Sequence, residues 1–124
     1  MSDAALPCPY APNLAPTQPV AVITTIDDAE QARTMARALV EQRLAACVQI
    51  SPIDSVYRWD GAVVESQEWR LSCKTRWDLQ ERLQQAIRAL HSYDVPELHL
   101  ELLLAADPAY AHWLQTETAV DDGP

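Results

Sequence analysis

Apolar residues along this chain switch repeatedly between a period of two and a helical period, and the switches mark its elements. Val20 to Thr25 is a short β-branched run and reads as a buried strand. Asp27 then offers an N-cap, with Glu30 three residues later in a capping-box arrangement. Ala29, Ala32, Ala36, Leu39, Val40 and Leu44 recur at helical spacing, which predicts an amphipathic helix from about Asp28 to about Gln42. Ala45 to Trp59 reads as a second strand of about fifteen residues, well beyond the usual length. Pro52 lies inside it and implies an edge or a bulge, because its missing N–H cannot join a ladder. Asp60-Gly61 is a strong two-residue hairpin signal, and a third strand follows from Ala62 to Thr75.

The second half of that strand has two faces. Trp69, Leu71, Cys73 and Thr75 point one way, and Glu68, Arg70, Ser72 and Lys74 the other. One polar and one apolar side suit an antiparallel sheet backed by helices on a single face. Thr75 is placed to cap a second helix, with Asp78 at its third position and an apolar stripe of Leu79, Leu83, Ile87 and Leu90. That helix stops near His91-Ser92, and residues 91–97, with Pro96, form a connection. Leu98, Leu100, Leu102 and Leu104 alternate in a fourth strand. Asp107-Pro108 is an N-cap with proline at the first helical position. Tyr110, Trp113 and Leu114 give this last short helix an apolar face.

The resulting order is the split βαβ: an α+β, ferredoxin-like βαββαβ sandwich with a four-stranded antiparallel sheet and a short C-terminal helix. Residues 1–19 hold five of the nine prolines and no apolar period, so they read as a flexible Pro-rich arm. Residues 20–118 form the domain, and 119–124 an acidic tail.

Composition narrows the function. At 124 residues, with 48% of them apolar, one domain can bury its own core without a cofactor or disulfide. A net charge of −9 argues against nucleic acid and against anionic membrane surfaces as partners, since both need clustered positive charge. No run is long and apolar enough for a bilayer span or a signal-peptide core, so a cytoplasmic location is expected. Cys8, Cys47 and Cys73 are far apart, without zinc spacing, and fit reduced thiols. With only Gly61 and Gly123, a Gly-rich phosphate loop, a dinucleotide fingerprint and a nucleophile elbow are all excluded. No nucleophile–base pair is visible, and the chain is expected not to be an enzyme.

Several segments in order resemble the CutA divalent-cation-tolerance family. Leu39-Val40-Glu41-Gln42-Arg43-Leu44-Ala45-Ala46-Cys47-Val48 is similar to the family's junction between first helix and second strand. Ser55-Val56-Tyr57-Arg58-Trp59-Asp60-Gly61 is similar to its aromatic hairpin, and Glu68, Leu71 and Lys74-Thr75 follow at the family's intervals. Leu90-His91-Ser92-Tyr93-Asp94-Val95-Pro96-Glu97-Leu98 resembles its most distinctive segment, and Tyr110 and Trp113 match the terminal helix. The resemblance covers about Val20 to Thr118. It implies the ferredoxin-like fold, a homotrimer, kinship in shape with PII signalling proteins, and a link to tolerance of copper and other divalent cations. Members proposed to bind copper use a first-strand cysteine and two adjacent histidines. Here Thr24 and Leu90 stand at two of those positions, Ser92 replaces a proline, and His91 remains.

The chemistry leaves two readings open: metal binding in cation homeostasis, with His91 as the candidate ligand for a divalent cation such as copper, or a PII-like regulatory trimer that binds a small ligand at its subunit interfaces. His91 could equally hold the last carbonyls of the preceding helix. Tyr57 and Trp59 at the hairpin tip are expected at an interface, since a long edge strand leaves unpaired backbone groups. Glu68 and Lys74 share a polar strand face but stand roughly 20 Å apart along it. A pocket across chains could gather Lys74, His91, Tyr93 and Glu97, or these could form an interfacial salt-bridge network.

Overall fold

A computed structural model describes residues 13–118. The elements are β1 (Pro19–Ile26), α1 (Ala29–Glu41), β2 (Cys47–Trp59), β3 (Ala62–Arg76), α2 (Gln80–Leu90), β4 (His99–Leu102) and α3 (Pro108–Glu117). The four strands form one antiparallel sheet in the order β2-β3-β1-β4, so the α+β, ferredoxin-like arrangement is the fold of this chain. Helices α1 and α2 pack over one face, where Val22, Ile26, Leu71 and Cys73 meet Met35, Leu39, Leu83 and Ile87. Burial pushes the Cys73 thiol up to about 12, with Cys47 nearby adding to the effect, so it behaves as a small hydrophobe.

Local chemistry differs from the sequence reading at both helix starts. Asp28, not Asp27, caps α1: its Oδ1 accepts from the backbone N–H of Glu30 at 2.8 Å and of Gln31 at 3.4 Å. Asp27 is thereby left free at the end of β1. Thr75 does not cap the second helix either. It stays in β3, fully buried, and its hydroxyl donates to the Leu44 carbonyl at 2.7 Å. A 3₁₀ turn, Trp77–Leu79, leads into α2 instead. At the end of α1 the chain turns on Arg43, whose φ of 61° is a position usually given to glycine. Its guanidinium then reaches the last carbonyls of α3, those of Thr116 at 2.6 Å and Glu117 at 3.2 Å.

The long strands are as long as the pattern implied. The β2–β3 register runs unbroken from Cys47↔Lys74 to Trp59↔Ala62, with Pro52 opposite Trp69. Pro52 therefore marks an edge strand and no bulge. Asp60 and Gly61, at φ of 54° and 80°, close the hairpin with the left-handed pair that suits strand twist. Strand β4 is shorter than its leucines suggested and pairs with β1 only over Val20 to Ile23. Leu98 and Leu100 pack on the core, whereas Leu102 and Leu104 are 46% and 81% exposed. On α3 only Leu114 is fully buried; Trp113 is 42% exposed and stacks on Tyr110.

The chain before β1 is tied down close to the sheet. Pro19 already belongs to β1. The Pro16 carbonyl accepts from Asp78, the Gln18 carbonyl from Trp77, and the Gln18 side chain donates to the Leu103 carbonyl at 2.9 Å. Of the arm expected over 1–19, residues 1–12 lie outside the described residues, as do Cys8 and the tail 119–124.

Among the described residues one buried polar side-chain atom is unpaired. Thr24 shares the helix-side face of β1 with Val22 and Ile26, is fully buried, and its Oγ1 has no hydrogen-bond partner among the described residues. An unpaired buried hydroxyl costs about 1–3 kcal/mol. Thr24→Val, of nearly the same shape, should therefore raise stability by about 1 kcal/mol and the melting temperature by several degrees. Thermal denaturation followed by circular dichroism measures this, and a fall in melting temperature would show that the hydroxyl has a partner.

Candidate functional site

Strand lengths make the site. Strand β1 pairs with β3 only over Trp69–Arg76, so residues 62–68 of β3 pair with β2 alone. The hairpin thus projects roughly 20 Å beyond the sheet. Ser55, Tyr57 and Trp59 of β2 and Ser66 and Glu68 of β3 share one face of it, the face opposite α1 and α2. Thr25 and Asp27, at the end of β1, and the loop Tyr93–Glu97 supply the remaining walls of an open cleft of about 650 Å³. The Tyr57 and Ser66 hydroxyls are 3.2 Å apart and brace the hairpin wall across its two strands.

The loop is held by two tethers. The Tyr93 backbone N–H donates to His91 Nδ1 at 3.1 Å, and His91 Nε2 lies 2.8 Å from the Thr25 carbonyl oxygen. Since Nδ1 accepts, Nε2 carries the proton and donates to that carbonyl. Both ring nitrogens are thus engaged, and the imidazole joins the end of β1 to the start of the loop. Its ring packs at 4.7 Å on that of Tyr93. The Tyr93 hydroxyl in turn donates to Glu68 Oε2 at 2.7 Å. Glu68 is only 7% exposed although it lies on the strand's polar face. Partial burial holds the Tyr93 hydroxyl well above its usual value, and the Glu68 hydrogen bond and charge add to this, with smaller contributions from Asp27 and Tyr57.

Of the residues singled out from the sequence, Tyr57, Trp59, Glu68, Tyr93 and Glu97 come together around the cleft. His91 stands behind it as the loop's anchor. Lys74 is elsewhere: six residues along β3, its ammonium donates to the Gln49 side chain at 3.0 Å on the neighbouring strand. Arg70, on the same sheet face, pairs with Glu101 at 3.0 Å. The lining therefore contains four carboxylates, those of Asp27, Glu68, Asp94 and Glu97, and no basic side chain. Thr25, Asp27, Ser55, Val56, Ser66, Asp94 and Val95 are the lining residues not singled out from the sequence as site residues. Only the misassigned cap at Asp27 hinted at one of them.

A copper centre of the kind the family resemblance suggested does not fit these residues. Thr24 is sealed in the core, Leu90 offers no donor, and the His91 ring has both nitrogens committed. Among the described residues no three or more histidine, cysteine, aspartate or glutamate side chains are grouped to hold a metal ion. Tight binding of a transition metal needs such convergence.

Comparison with known proteins adds the following. The family model for CutA1 divalent ion tolerance protein matches residues 20–117. A divalent-cation tolerance protein CutA from Thermus thermophilus is 45% identical over 98 residues, which is 78% of this chain and 95% of that protein. A chloroplastic CutA protein of Arabidopsis thaliana is 38% identical over 80% of this chain, which spans only 55% of that longer protein. The solved structure of CutA from Synechococcus elongatus is similar with a TM-score of 0.81 and 36% identity, over 83% of this chain and 92% of that one.

The Tyr93–Glu68 bond predicts a pH dependence. A tyrosine whose folded value is raised contributes stability that is complete below the ordinary value near 10 and is lost as pH rises beyond it. Tyr93→Phe should lose about 1–3 kcal/mol at pH 7, because Glu68 is left buried with one donor fewer. The variant should also lose stability less steeply between pH 9 and 11 than the parent, with the buried Cys73 thiol contributing to the slope of both. Urea unfolding across that range gives both quantities, and parallel curves would refute the assignment.

Proposed function

The chain belongs to the CutA1 divalent ion tolerance family, and from that premise we propose that it serves divalent-cation tolerance as a homotrimer whose clefts bind a small ligand. The reading is of a binding module, not a catalyst: no serine or cysteine of the cleft wall is hydrogen-bonded to a histidine among the described residues.

The observation that carries the assembly is the projecting hairpin. Residues 62–68 leave one backbone edge unpaired, and Val56, Trp59 and Val63 are 66%, 59% and 63% exposed on its two faces. A two-stranded ribbon without cover is marginal in water, and an open apolar edge invites pairing with another chain. A second copy of this chain offers a suitable surface at β4, a four-residue edge strand that ends on exposed Leu102 and is followed by exposed Leu104. Hairpin on β4 is a head-to-tail contact, which closes into a ring when the rotation between copies allows it, and the family resemblance supports a ring of three. Such a ring would set a neighbouring subunit beside each cleft. The cleft's volume lies in the range of small-molecule sites.

A second reading, metal binding, would need donors from more than one subunit, given the committed His91 ring. Two measurements test the proposal. Sedimentation equilibrium at micromolar concentration should return three times the 13.8 kDa chain mass, and Trp59→Ser with Val63→Ser should shift it towards the monomer. A monomeric parent would sink the trimer. Copper titration against a competing chelator, in a Cys8→Ser background, should show no tight stoichiometric Cu²⁺ site; one abolished by His91→Ala would favour the metal reading.

A further inference from the structure

The hairpin turn carries a chemistry of its own. Asp60-Gly61 is the only aspartate–glycine pair among the described residues; a second, Asp122-Gly123, lies outside them. An aspartate side chain can cyclise onto the backbone nitrogen of the next residue, and a side chain on that residue obstructs the approach. Gly61 offers no obstruction: beyond its chain neighbours, no atom lies within 4 Å of where a side chain would begin. Asp28, Asp78 and Asp107 are each held by a hydrogen bond, whereas Asp60 has no side-chain partner among the described residues. The Gly61 N–H is likewise without a backbone acceptor there, and both residues are exposed. The turn is anchored through one ladder only. Residues 62–68 pair with β2 alone, so opening of the tip breaks the Trp59↔Ala62 pair and leaves the core untouched.

We infer that Asp60 is a site of spontaneous backbone modification in the folded protein, where the peptide bond to Gly61 converts to a β-linked isoaspartyl bond. In the first step the Gly61 nitrogen attacks Cγ of the acid form of the Asp60 side chain. A Cγ–N bond forms, and the nitrogen's proton leaves with the carboxyl hydroxyl as water. In the second step water adds to either carbonyl carbon of the cyclic imide. Attack at Cγ restores aspartate. Attack at the main-chain carbonyl breaks its bond to nitrogen, so the chain continues through Cγ and the α-carboxylate becomes the side group. The water lost is regained, and no oxidant or cofactor takes part. The reaction is internal to one peptide unit and exchanges only water, so it does not require Val56, Trp59 and Val63 to be clear of a second copy. The product has one extra main-chain atom, which a two-residue turn at φ of 54° and 80° does not accommodate. The register of β3 is then unguarded as far as Glu68, because pairing with β1 starts only at Trp69.

Ageing the intact full-length protein in neutral buffer tests the inference, with a second sample in urea as the unfolded reference. Trypsin cuts after Arg43, Arg58 and Arg70, so Asp54 and Asp60 fall in separate peptides, each the only aspartate in its own. Isoaspartate leaves the peptide mass unchanged. It is read by enzymatic methyl labelling of its free carboxylate and by electron-transfer fragmentation. Label in peptide 59–70 should build up in the folded protein at a rate within about tenfold of that in urea, since a ribbon end opens locally. Asp54-Ser55 is also exposed but has a side chain on the attacking residue, and its peptide should label far more slowly. Asp60→Asn suits the same turn, closes to the same imide with loss of ammonia, and should label faster. Asp60→Glu should leave peptide 59–70 unlabelled, folded or not. Label at Asp60 in urea but not in the folded protein, with Asp122 labelled in that same folded sample, would show that the turn holds the carboxyl out of reach and would overturn the inference. Equal labelling of Asp54 and Asp60, or a peptide 59–70 that stays unlabelled even in urea, would overturn it too.

Discussion

The mismatch between a thirteen-pair hairpin ladder and an eight-residue β1 governs the rest of this molecule. Where β1 runs alongside β3, the sheet is covered by α1 and α2 and behaves as an ordinary two-layer core. Where β1 stops, the hairpin continues alone, and both its backbone edge and its apolar side chains are left to solvent. The cleft exists because the hairpin projects beyond the last residue of β1 and the 93–97 loop crosses at that corner. The same projection presents the surface through which copies of the chain would associate. One feature of strand length thus creates both the concavity and the uncovered edge on which the proposed assembly rests.

That corner is rigid because its polar groups are paired in sequence. The His91 ring ties the loop to the Thr25 carbonyl, and Tyr93 is fixed by that ring on one side and by Glu68 on the other. Each member is held by the next, so the loop wall keeps its position against the hairpin wall. Glu68 is the group with most at stake, as a carboxylate nearly removed from water on a strand face that otherwise carries solvated side chains. Arg70 and Lys74 neutralise neither Glu68 nor the rest of the cleft, being committed to Glu101 and Gln49. The acidity of the cleft is therefore a local property, distinct from the chain's overall charge.

The histidine that a metal-binding account would favour is used for architecture. A ring that donates from Nε2 and accepts at Nδ1 has no lone pair left to offer a metal. The family's link to divalent cations therefore does not translate into a copper centre built from one subunit of this chain. A role in tolerance through ligand recognition is consistent with the geometry of the described residues.

Periodicity alone carried the element order, the hairpin turn, the helix-side core and the fold class. Each rests on local rules: alternation for strands, a 3.6-residue stripe for helices, a left-handed pair at Asp60-Gly61. Family resemblance pointed to Tyr57, Trp59, Glu68, Tyr93 and Glu97, and those five do meet. Tertiary structure decided the rest. Asp27 and Asp28 are equivalent as caps by type, and only the chain's exit from β1 left Asp28 to cap and Asp27 to face the cleft. Lys74 shares a strand face with Glu68, but the neighbour that claimed it, Gln49, lies across a ladder register that no single strand encodes. His91 could have been a ligand or an anchor. The carbonyl of Thr25, sixty-six residues earlier, settled the matter, because a hydrogen bond between distant segments depends on packing and leaves no mark in local pattern.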